Sequence, residues 1–191
     1  GSVDTVFNFV GGPVFTFPDP ANDIPDVTAF SMVFPTDLAP IVGQQVTLTA
    51  TSPSETGDRI DLMIERCNTS FTSLTLGGVV TECDLIVKGS VAGVARGWVQ
   101  AGSQFDDDLG ALISDVALRA LAISEGPLTY TAVPPGAGER AGVDRDEDLL
   151  RDGVETNTGV FVSAGDTGSD PASADTDGDG FGDGEEVSLG T

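Results

Sequence analysis

Residues 175–186 read DTDGDGFGDGEE, which places Asp175, Asp177, Asp179, Asp183 and Glu186 at positions 1, 3, 5, 9 and 12 of a twelve-residue run. That spacing is the spacing of a calcium loop. Calcium takes six to eight oxygen ligands at roughly 2.3–2.6 Å. Aspartates at alternate positions turn their carboxylates inward, Gly180 supplies the sharp turn at position 6, and Phe181 offers its backbone carbonyl at position 7. Glu186 closes the shell with both oxygens.

Working outward, a second copy begins 31 positions earlier, in DRDEDLLRDGVE. Asp144, Asp146, Asp148, Asp152 and Glu155 fall on the same five positions, with Leu150 at the carbonyl position. The departure is Leu149, where the turn wants glycine. A non-glycine residue with positive φ is strained by roughly 1 kcal/mol or more, so this loop is expected to be distorted or to bind more weakly.

These two stretches, within DRDEDLLRDGVETNTG and SDPASADTDGDGFGDGEEV, resemble the thrombospondin type 3 and related bacterial calcium-repeat family over residues 139–191. The resemblance implies calcium-filled loops, little regular structure, and a role as stiff spacers in secreted or surface proteins. Residues 36–148, from PTDLAPIVGQQVTLTA through CDLIVKG and RGWV to YTAVPPGAGERAGVDRDED, are also similar to C-terminal regions of large secreted bacterial proteins. No activity carries over from those.

The charge agrees with the loops. The chain of 191 residues has a formal net charge of −23, and residues 144–191 hold fourteen acidic residues against Arg145 and Arg151, a local net of −12. Phosphate binding needs a basic surface, so nucleic acid is excluded as a partner, and anionic membranes would repel the chain. Two carboxylates ~4 Å apart repel by ~1 kcal/mol in water and ~4 kcal/mol at an effective dielectric near 20. Four or five of them in one loop therefore need a divalent cation. Extracellular calcium modules have dissociation constants of ~10⁻⁴–10⁻³ M, which places such a protein outside the cell. Adaptation to high salt competes as an explanation of the charge, and Lys88 as the only lysine suits it, but it does not explain the ligand spacing.

Cys67 and Cys83 are the only cysteines, an even count that favours one disulfide in an exported chain. With no histidine and no CxxC, a zinc site and the histidine-dependent nucleophile pairs are disfavoured. Trp98 and Tyr130 are single residues of their types, too few for the aromatic platforms of a sugar-cleaving site. Gly11-Gly12-Pro13 and Gly77-Gly78 read as turns rather than nucleotide loops. The chain is read as a non-enzyme. No apolar run approaches the roughly eighteen residues of a membrane span.

Along the chain, residues 3–17 alternate apolar and polar around Gly-Gly-Pro and predict two short strands, in the protein's own sheet or added to a neighbour's. PDPANDIP (18–25) reads as a linker and Asp26–Phe34 as a short helix. Val46–Ala50 is a strand, Arg59–Cys67 a helix by preference, and Ser70–Val80 a hairpin tied at its base by Cys67–Cys83. Cys83–Lys88 and Val91–Gln100 predict strands joined at Gly89-Ser90. A helix capped by Ser114 is expected to bury Val116, Ala117, Ala120 and Leu121, with Asp106, Asp107 and Asp108 complementing its dipole in preference to forming a third metal site. Leu128–Val133 is a last strand, and Val160-Phe161-Val162 is expected to hold the segment between the loops. The expected fold is α+β, a mainly β domain with a few short helices over 1–135 and a calcium-binding tail over 136–191.

The function expected is that of an extracellular, calcium-stabilised structural or self-assembling surface or matrix protein with about two Ca²⁺ ions. Its partner is expected to be itself or another surface protein. Few residues follow Glu186, so the loops read as staples rather than as a regulatory EF-hand. Two alternatives stand beside this. One is an accessory or anchoring module of a larger secreted bacterial enzyme or electron-transfer protein; the other is a carbohydrate- or cell-binding adhesin with a site near Trp98.

Overall fold

The computed structural model describes residues 8, 10–13, 16–33 and 38–190. By compactness the chain forms two units, residues 1–37 with 73–77, and residues 38–72 with 78–191. The strands expected over 3–17 lie largely outside the described residues, although Asn8 and Val10 have helical backbone.

In the first unit, helix α1 spans Pro20–Val33. The expected linker is thus the start of a helix. Pro20 opens it, where a missing N–H costs nothing. The Asp23 carboxylate accepts the Asp19 N–H at 2.9 Å, closing the first turn. Pro25 lies inside it.

The second unit is built on a six-stranded antiparallel sheet of mixed α+β architecture. Its strands are β1 (Gln45–Leu48), β4 (Asp84–Val91), β5 (Val94–Ala101), β6 (Gln104–Asp107), β7 (Leu112–Ser114) and β8 (Leu128–Val133), in the spatial order β1-β8-β4-β5-β6-β7. Helices α2 (Ser54–Cys67) and α3 (Asp115–Ser124) pack against it. The register puts Val46, Tyr130, Val87 and Trp98 in one cross-strand row. That row belongs to the core, with Ile60 and Met63 of α2, Leu118 and Ala122 of α3, and Phe105, whose ring meets Tyr130 edge-on at 6.1 Å. Successive side chains of a strand face opposite sides. Ile86, between Leu85 and Val87, is accordingly covered from the other face by helix α4 (Gly138–Gly142), which packs on β4 and β5.

Two short strands, β2 (Ser70–Ser73) and β3 (Gly78–Thr81), form a separate two-stranded sheet. The Cys67–Cys83 disulfide closes the base of this excursion as expected. The turn between β4 and β5 differs from expectation. Gly89 and Ser90 belong to β4, and the chain reverses at Ala92-Gly93, both with positive φ (52° and 80°). The type I′ two-residue hairpin turn needs that sign at both positions, and Ala92 accepts it.

Helix α3 is capped by Ser114, whose Oγ accepts the Ala117 N–H at 3.3 Å. It buries Leu118 and Ala122; of the expected face Leu121 packs against the core, whereas Val116, Ala117 and Ala120 are exposed, so the buried face is rotated from the expected one. The aspartates before it do not serve its dipole. Asp106 and Asp107 lie in β6, where Asp106 pairs with Arg151 at 2.7 Å and Asp107 with Arg96 at 2.8 Å; Arg96 also reaches Asp108 at 2.5 Å. Trp98 is 2% exposed, under the Arg96 guanidinium at 5.9 Å, and offers no open platform for a glycan.

Candidate metal centre

Both acidic runs fold onto one scaffold. At position 1, Asp144 and Asp175 each accept the N–H of position 4, from Glu147 at 2.8 Å and from Gly178 at 2.7 Å. At position 5, Asp148 and Asp179 accept the N–H of position 7, from Leu150 at 2.7 Å and from Phe181 at 2.9 Å. At position 9, Asp152 and Asp183 accept the N–H of position 2, from Arg145 at 2.9 Å and from Thr176 at 3.0 Å.

The backbone agrees. Position 4 has φ of 64° (Glu147) and 76° (Gly178), and position 6 has 80° (Leu149) and 100° (Gly180). The distortion expected of the first loop is therefore not found: Leu149 adopts the left-handed conformation that glycine takes in the second loop. Its side chain is 89% exposed, so nothing compensates the strain locally.

The scaffold gathers carboxylates that can hold a metal ion. Asp144, Asp146 and Asp148 bring ligand atoms within 4.8 Å of one another, and so do Asp175, Asp177 and Asp179. A further group joins the loops, formed by Asp148 and Glu155 of the first with Asp183 of the second. Asp152 joins no such group. Its carboxylate meets the Arg145 guanidinium at 3.0 Å and the Lys88 ammonium at 3.8 Å. Glu186, in helix α5 (Asp183–Leu189), also stands outside these groups, while Leu150 and Phe181 donate their N–H groups as above.

The loops are locked to each other and to the sheet. Gly184 N–H donates to Asp148 Oδ2 at 3.0 Å, an approach only glycine allows, since a Cβ there would lie 2.0 Å from the Asp148 carbonyl oxygen. Arg151, at position 8, donates to the Asp107 carbonyl and the Asp106 carboxylate. Gly153 N–H donates to the Asp108 carbonyl at 3.0 Å, and Lys88 donates to the Gly142 carbonyl at 2.6 Å. Burial lowers the Lys88 pKa, against the opposing pull of Asp152.

The carboxylates of the first loop are partly buried. Both carboxylate oxygens of Asp146 and Oε2 of Glu155 are buried without a hydrogen bond of normal geometry, while Glu155 Oε1 accepts from Ser169 at 3.1 Å. Burial raises the pKa of Asp144, with the Glu147 N–H opposing. Burial followed by the Asp148 and Asp144 charges raises that of Asp146. For Glu155, burial and then the Asp146 and Asp148 carboxylates push it up to about 8. Such a cluster favours either protons or a cation.

Several contributing residues were not singled out from the sequence. Arg145 and Thr176 hold position 2 of their loops, and Ser169 reaches Glu155 across 14 residues. Position 2 repeats with the loops and was open to comparison; nothing in the local sequence marks Ser169. Between the loops, Val160, Phe161 and Val162 are 61%, 60% and 66% exposed, so they do not hold that segment, whereas Thr167 and Ser169 are buried. Asp166 accepts from Thr156 Oγ1 at 2.6 Å, and Asp170 from the Ala172 N–H at 3.1 Å.

No protein-family model, curated protein or solved structure matches the chain. What stands is an α+β protein with one disulfide and acidic clusters that can hold metal ions. No helix among the described residues is long and apolar enough to cross a membrane. A disulfide of this kind belongs to oxidising compartments.

Proposed function

We propose that this chain is a calcium-stabilised structural protein of the cell surface or extracellular matrix. In this reading Asp144, Asp146, Asp148, the Leu150 carbonyl and Glu155 hold one Ca²⁺, and Asp175, Asp177, Asp179, the Phe181 carbonyl and Glu186 hold another. The observation that carries it is the shared scaffold. Two runs of different sequence converge on the same three carboxylate-to-backbone bonds and the same positive-φ residues, at the cost of a strained Leu149. Calcium suits that donor set, being all oxygen and mostly carboxylate.

The ions neutralise a tail that otherwise repels itself, and the contacts of Arg151, Gly153 and Gly184 carry that rigidity from loop to loop and into the sheet. Assembly with further copies, or with another surface protein, is the use proposed for the rigid unit. Light scattering by chelator-stripped protein during a calcium titration through the millimolar range tests this. Chelator-reversible growth of large particles supports assembly. A monomer that binds calcium and gains only thermal stability leaves the loops as staples and removes assembly from the proposal.

A further inference from the structure

We propose a third divalent-cation site at the junction of the two loops, ligated by Asp148, Glu155 and Asp183. The inference rests on the reading that the loops bind cations, and goes beyond it by one ion. At position 9 of the loop scaffold the carboxylate stands outside its own loop's triad, and the two copies treat it differently. In the first loop, Asp152 faces two cations, the Arg145 guanidinium at 3.0 Å and the Lys88 ammonium at 3.8 Å. In the second loop the residue at position 2 is Thr176, which gives Asp183 neutral donors only, its N–H at 3.0 Å and its hydroxyl at 2.6 Å. Among the described residues no lysine or arginine forms an ion pair with Asp183, Glu155 or Asp148.

Yet Asp183 is 5% exposed, Glu155 is 4% exposed, and the two lie with Asp148 inside a 4.8 Å cluster. Buried charge is retained where it is paired or coordinates a metal. Independent of the clustering, Glu155 Oε2 is buried without a hydrogen-bond partner, an open acceptor as both carboxylate oxygens of Asp146 are. The junction group shares Asp148 with the first loop's triad but does not include Asp144 or Asp146. With Asp148 and Glu155 also serving the first-loop ion, the two carboxylates bridge the junction ion to it, and Asp183 is the ligand that the second loop adds. A divalent cation at the junction takes the place that Lys88 and Arg145 hold beside Asp152, and it ties the first loop to the second.

The test is native mass spectrometry of the full chain, stripped with EDTA and titrated with calcium alone. The wild type is expected to take up three ions. Asp183→Asn keeps an oxygen for the Thr176 N–H, turns the hydroxyl contact round so that the amide donates to Thr176 Oγ1, removes the charge, and is expected to take up two. Thr176→Arg supplies the missing side-chain cation from an exposed position, and is also expected to take up two, with the stripped form more stable than wild type. Uptake of two ions by the wild type, or of three by either variant, overturns the junction site and leaves the two loop sites intact. Uptake of none overturns the calcium reading and this inference together.

Discussion

Asp148 accepts the N–H of Gly184 at 3.0 Å, so the fifth residue of the first loop binds the opening turn of the helix that ends the second. The two acidic loops are thus one structural object. If the loops hold cations as proposed, binding at either is predicted to be felt at the other through this backbone contact.

That contact has no room for a side chain. Gly184→Ala would place its Cβ 2.0 Å from a backbone oxygen, which costs roughly 1–3 kcal/mol in a packed setting. The expected outcome in urea unfolding is a loss of that size, with weaker calcium uptake at both loops. Loss confined to the second loop would show that the loops act separately.

Leu149→Gly is expected to stabilise the protein. Leu149 holds φ of 80° with its side chain 89% exposed, so glycine removes a strain of ~1 kcal/mol without losing contacts, partly offset by its greater freedom when unfolded. A gain of about 0.5–1 kcal/mol and tighter calcium binding at the first loop are predicted. Leu149→Ala, which retains the strain, should show no gain.

What the sequence displayed, and what it hid, divides along physical lines. The twelve-residue spacing displayed the loops because metal coordination imposes a local pattern. The helix over Ile60, Met63 and Cys67 was legible as a 3.6-residue period, and the disulfide followed from an even cysteine count. Contacts set by tertiary placement were hidden. Asp106 and Asp107 look like helix-start acids until Arg96 and Arg151 are brought to them. The buried face of α3 was hidden too, because Val116 and Ala120 have the helical spacing of a core face yet are exposed, while Leu118 is buried. That Asp183 also meets Asp148 and Glu155 was hidden, because spacing cannot show that two repeats lie side by side.

The stripped protein should respond to pH through Glu155. Its folded pKa, about 8, lies above the ordinary glutamate value. Its contribution to stability is therefore fully present below the ordinary value and is lost as pH rises through about 8. Unfolding measured at intervals from pH 5 to pH 8 in EDTA should show wild type losing stability relative to Glu155→Gln. Millimolar calcium should abolish that difference, and its uptake near pH 7 should release protons.

Removing the disulfide by Cys67→Ala with Cys83→Ala opens a loop of sequence separation 16. The chain-entropy model gives a loss of about 3 kcal/mol. Because the bridge ties the β2–β3 excursion and not the acidic loops, calcium uptake should persist under folding conditions. Uptake that vanishes while the variant remains folded would contradict the separation of these two parts.

The most direct test of the calcium reading is calorimetric unfolding of EDTA-stripped protein across calcium concentrations, with magnesium as the comparison. With two sites each at ten times its dissociation constant, mass action adds about 2.8 kcal/mol, or roughly 6–11 °C in Tm. A rise of that order is predicted in millimolar calcium, with a smaller one in magnesium and reversal by chelator. A Tm that does not move with calcium would contradict the calcium reading.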